Sequence, residues 1–108
     1  MTEQAGKNGI VEKIVDHLTA IVEDADIVGL GTDTHPDWGK YRDVASATFL
    51  LFVTKQVDTV NRKLFVKALT DCFGEQVIDE KVTHTPARHK VAPCIDKINA
   101  FLASDIEL

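Results

Sequence analysis

Three side chains near the end of the chain have the chemistry of metal ligands. His84, His89 and Cys94 are separated by five residues each. Imidazole nitrogen and thiolate are donors that zinc accepts, and Asp96 is close enough in sequence to supply a fourth. The spacing differs from compact zinc patterns such as Cys-x2-Cys paired with His-x3-5-His, so a polar loop that happens to carry two histidines is the preferred account and no metal site is expected. Cys94 also follows Pro93 at the start of a predicted helix. Backbone N–H groups at such a terminus favour a thiolate, and a nearby His89 would add to that effect. A small thiol- or metal-dependent enzyme or redox protein built on Cys94 and His89 is therefore one reading. The competing one packs Cys94 as a small apolar residue beside Ile95 and Ile98.

Other candidate chemistry is sparser. Gly29-Leu30-Gly31-Thr32-Asp33 is a glycine-rich turn of the kind that offers backbone N–H groups to phosphate. No helix start follows it, so no helix dipole is aimed at the turn. Glu23, Asp24, Asp26, Asp33 and Asp37 form an acidic cluster without the regular spacing of a calcium loop. No Gly-x-Ser-x-Gly, phosphate-binding Gly-x4-Gly-Lys or His-Glu-x-x-His motif is present, and no cofactor is expected. This weighs against an enzyme without excluding one.

Trp38 and Tyr41 are the only Trp and Tyr of the 108 residues, and they flank Lys40 beside Arg42. These residue types are enriched at binding hot spots. With Arg62, Lys63 and Lys67 on the polar side of the next predicted helix, they form the expected partner-binding surface.

The formal net charge is −5, which argues against bulk nucleic-acid binding. The charge is uneven along the chain. Residues 1–37 carry a local −6, residues 38–67 a local +4, and residues 68–108 a local −3. Opposed faces of this kind can meet on neighbouring copies or on a partner. No apolar run approaches the roughly 18 residues of a membrane span. The first eight residues lack the charged and apolar regions of a signal peptide. The two cysteines are too few for a disulfide framework, so the cytoplasm is the expected compartment.

The elements that must position these residues follow from hydrophobic spacing. Residues 1–8 read as a flexible tail and 9–108 as a single globular domain. Ile10 to Val22 recur at helical steps, with Asn8 as an expected N-cap. Ile27 and Val28 suggest a short strand, and Thr34 to Gly39 a turn. Ala45 to Thr54 contains an unbroken apolar run, Phe49 to Val53, rich in strand-forming types, and is read as a strand. Val57 to Phe73 is the clearest helix, capped by Asp58 and closed by Gly74. Gln76 to Thr83 reads as a third strand, and Ile95 to Leu102 as a last helix. The expected fold is α+β, in the order α-β-β-α-β-α, with helices on one face of a three-stranded sheet. The alternative is an all-α bundle of four to five helices in which Trp38 to Lys55 forms one long helix. That version places Gly39 in a helix, at a cost of about 1 kcal/mol relative to Ala.

The function best matched by this pattern is a non-catalytic protein-interaction or assembly module, with self-association expected. The thiol or metal reading is the first alternative. A third follows from the element order, which resembles KH-like nucleic-acid or ribosome-associated domains; that resemblance implies an RNA-facing clamp, and the Gly-x-x-Gly such a clamp uses is missing.

Overall fold

The computed structural model describes residues 2–104, with side chains from Gly9 onward. The cap expected at Asn8 is corrected, because the first helix already begins at Thr2 and Asn8 lies inside it. The side chains of residues 1–8, read as a flexible tail, lie outside the described residues. Among the described residues the chain is helical, with no strand. Helix α1 spans Thr2–Ala25, α2 Lys40–Thr54, α3 Arg62–Phe73, α4 Glu75–Ile78 and α5 Val91–Ala103. A π turn at Asp79–Thr83 and a 3-10 turn at Pro86–Lys90 join α4 to α5.

The α+β expectation is thus overturned, and the all-helical alternative describes the molecule. Residues 45–54 lie in α2, whose buried face is Tyr41, Val44, Ala45 and Thr48. This stripe has helical spacing but starts before the apolar run and includes a tyrosine and a threonine. The run misled because a continuous apolar stretch fits a buried strand or a buried helix alike. Packing between two neighbouring helices then outweighed local strand preference. Thr48 is accommodated by donating its hydroxyl to the Val44 carbonyl at 2.7 Å. Gly39 precedes the first helical residue, so the mid-helix glycine penalty does not arise. The strand expected at Ile27 and Val28 is instead a turn, with positive φ at Asp26, Gly29 and Gly31. The strand expected over 76–83 is α4 and the π turn, which bury Ile78 and Val82. The KH-like element order disappears with the strands.

Helix α2 runs back along α1, and α3 packs against α2. Helix α5 closes the bundle against α1 and α3. Lys97 lies 3.6 Å from Asp24, and the rings of His17 and Phe101 stack with centroids 3.9 Å apart. These contacts set α5 antiparallel to α1. Leu18, Val22, Tyr41, Phe65, Leu69 and Ile98 meet in the centre. Each aliphatic or aromatic side chain buried there contributes about 1.5–3 kcal/mol. Pro93 sits in the first turn of α5, where the missing N–H costs no helical hydrogen bond.

The cap of α3 is Asn61, not Asp58; its side chain accepts from the Leu64 N–H at 2.8 Å. The preceding residue is held from a distance. Asn99 on α5 accepts from the Val60 N–H at 2.7 Å and donates to the Val60 carbonyl at 2.9 Å. This clamp ties the α2–α3 connection to the last helix. Asn99→Ala leaves both backbone groups of a buried residue without their partner. We expect a loss of about 1–3 kcal/mol in urea unfolding, against about 1 kcal/mol for Asn61→Ala.

Candidate functional site

The densest polar arrangement surrounds Asp26, where α1 ends. Its N–H closes α1 on the Val22 and Glu23 carbonyls, and its backbone turns left-handed, at φ +43°. Aspartate tolerates that conformation because its short side chain can bond locally. Here the carboxylate accepts from the Leu30 N–H at 2.8 Å, the Gly31 N–H at 2.9 Å and the Tyr41 hydroxyl at 2.7 Å. The Tyr41 oxygen in turn accepts from the Val28 N–H at 3.1 Å. Positive φ at Gly29 and Gly31 lets the turn curl around the carboxylate. The N–H groups of Leu30 and Gly31, considered as a phosphate cradle, therefore serve an internal anion.

Charge follows geometry. Burial pushes the Asp26 carboxyl upward, but the hydrogen bonds from Tyr41, Gly31 and Leu30, with Lys90 nearby, outweigh it and hold the group below its usual range. The Tyr41 phenol is pushed well above its ordinary value by burial and by its bond to Asp26. At neutral pH the pair is an ionised acceptor and a neutral donor.

The residues expected to bind a partner are drawn into this framework to different degrees. Tyr41 is wholly buried. Trp38 is half-buried, packs edge-on against Tyr41, and donates from Nε1 to Glu23 at 2.6 Å. Lys40 lies 3.5 Å from Asp37 and over the Phe73 ring. Arg42 is exposed and bridges to Asp16 on α1. These four pin α2 to its neighbours. Arg62 and Lys63 are exposed at the start of α3, and Lys67 one turn on pairs with Asp71 at 3.4 Å. Lys63 and Lys67 share a groove of about 130 Å³ with Lys55, floored by Val57 and Leu64.

His84, His89 and Cys94 are not gathered into one site. Among the described residues no group of three His, Cys, Asp or Glu side chains is placed to hold a metal. His84 and His89 line one shallow cleft. His89 and Cys94 border another, of about 310 Å³, with Asp24, Lys90 and Lys97. Cys94 is only 2% exposed, and burial pushes its thiol up to about 12, although Lys97 acts the other way. A thiol of that kind is protonated at neutral pH and inert as a nucleophile. The α5 N-terminus does not rescue it, because desolvation dominates.

The sequence reading missed Asp26 as a hub, Asn99 as a clamp, and Leu50 and Val53 as an exterior feature. Asp26 stood out only as one acid of a cluster. The available signal was an acid followed by two glycines within five residues. Leu50 and Val53, hidden inside the supposed strand, are 62% and 52% exposed.

Two outcomes follow. The Asp26 carboxyl binds its proton less tightly in the folded chain than in the unfolded one. Its contribution is complete above a pH of about 4 and is lost as pH falls through the lower folded value. Thermal melts should show this acid limb in the wild type and a flatter one in Asp26→Asn, while Tyr41→Phe costs about 1–3 kcal/mol by unpairing the Val28 N–H. In timed alkylation of the native protein, half-exposed Cys72 should react first and Cys94 only on unfolding. Fast modification of Cys94 at neutral pH would contradict its protonated state.

No family model, curated protein or solved structure matches this chain.

Proposed function

We propose that this chain is a non-catalytic protein-interaction module. The observation that carries the reading is the placement of its uncovered apolar side chains. Leu50 and Val53 lie one turn apart on the outward side of α2. On the partner helix α1, Ile10 and Val11 are also exposed, at 45% and 46%. The register set by Glu23 with Trp38 and by Asp16 with Arg42 brings Ile10 level with the end of α2 that carries Leu50. Isolated surface leucines are ordinary, whereas exposed apolar residues on both arms of one hairpin are the kind of feature that a partner covers.

The lysine-rimmed groove beside this end of α2 supports the same reading. It surrounds an apolar floor with positive charge in a chain of net charge −5. Complementary charge of this kind orients an incoming partner and speeds encounter. Cys94, the nucleophile of the alternative reading, is buried, and burial keeps its thiol protonated at neutral pH. No helix among the described residues is long and apolar enough to cross a membrane. Both cysteines are free thiols, in keeping with a reducing cytoplasm as the proposed compartment.

The test is affinity capture with the wild type beside Leu50→Glu/Val53→Glu. Both positions face water, so the double variant should keep its helical circular dichroism and lose less than about 1 kcal/mol. Proteins retained by the wild type should be lost with the variant. A wild type that retains nothing, or a variant that retains the same set, overturns the assignment.

A further inference from the structure

Helix α3 carries its charges in an order that works against itself. Arg62 and Lys63 stand in its first turn and Lys67 follows, all exposed. Asp71 is in the last turn, and Glu75, Asp79 and Glu80 are exposed just past the break at Gly74. The helix has no acid in its first turn and no base in its last. A helix dipole favours the reverse arrangement, with acids at the N-terminus and bases at the C-terminus. The Lys67–Asp71 ion pair also has the base N-terminal to the acid, the weaker of the two orientations. Lys40 and Lys81 are the bases near the acidic end, and Lys40 is already engaged by Asp37.

The same order is self-complementary. Lys63, Lys67 and Asp71 recur every fourth residue along one exposed line of α3, and Glu75 follows beyond the break. If a second α3 lies antiparallel to the first, with a two-fold axis level with Leu69, Lys67 faces Asp71 of the other copy, and Lys63 lies toward its acidic end, where Glu75 follows the break at Gly74. Two-fold symmetry repeats each pair. The axis keeps a given flank of one helix beside the same flank of the other, so the line meets itself. Between the lines lie half-buried Val66 and Thr70, small enough for close approach. Antiparallel packing also sets the two helix dipoles against each other favourably.

Resting on the interaction-module reading, we propose that the outer face of α3 is a self-association surface whose occupant is a second copy of this chain. The pair is closed and isologous, not a growing filament, because one surface meets itself. It is weak and salt-sensitive, since exposed ion pairs contribute little each and are screened.

Sedimentation across a wide concentration range tests this. The wild type should associate reversibly in dilute buffer and dissociate in about 1 M salt. Lys63→Glu/Lys67→Glu and Asp71→Lys/Glu75→Lys should each associate at least about tenfold more weakly. A mixture of these two variants, one line all acidic and the other all basic, should pair one to one. Most of these substitutions place charge as the α3 dipole favours, so thermal melts should show both variants folded. A wild type that stays monomeric in dilute buffer, variants that associate like the wild type, or a mixture that fails to pair overturns the proposal. Capture that depends on Leu50 and Val53 reports on the module reading separately. Self-pairing can therefore fail while that reading stands.

Discussion

The hydrogen bond between Tyr41 and Asp26 is the constraint on which the rest of the architecture depends. It joins residues fifteen positions apart, at the end of α1 and in the first turn of α2. Asp26 terminates α1, curls the following turn around its carboxylate, and presents that carboxylate to a buried phenol. The Lys90 ammonium reaches the Asp26 carbonyl at 3.3 Å, so the turn before α5 touches the same point. Away from bulk water such bonds are stronger, and an unpaired member would be costly. The direction in which α2 leaves α1 follows, and with it the face that α2 offers to α3.

That constraint also decides which residues remain available outside. Trp, Tyr, Lys and Arg clustered at a turn resemble a contact surface, and the same types make good fasteners. Here Tyr41 is sunk in the core, Trp38 is held by Glu23, and Arg42 bridges to Asp16. The last turns of α2 keep Phe49, Leu51 and Phe52 against the core and turn Leu50 and Val53 outward to water. Cys94 shows the converse. Its position at the start of α5 suggested a reactive thiol, but the face of α5 that carries Ile95 and Ile98 is the face that packs, and burial outweighs the helix terminus.

The helices around Leu18, Phe65 and Ile98 were legible because their apolar residues recur at three- and four-residue steps. Helix α2 was not. Its buried face runs through Tyr41 and Thr48, which pattern reading counts as polar or ambiguous, while its most conspicuous apolar residues include two that face water. The connection from Gln76 to Thr83 failed for a related reason. Val77, Ile78 and Val82 are too few to define a period, and a short helix followed by a π turn has no sequence signature distinct from an edge strand.

What the sequence by itself determined is local: three amphipathic helices, the glycine breaks at positions 29, 31 and 74, and the uneven charge along the chain. These depend on neighbours within a turn or two. Whether Phe49 to Val53 became strand or helix, whether Asp26 faced water or a phenol, and whether Cys94 was nucleophile or filling were decided only by the tertiary structure. Each turned on burial against residues far away in the chain. Burial sets the cost of an unpaired polar group and the protonation of a thiol, and no local window contains it.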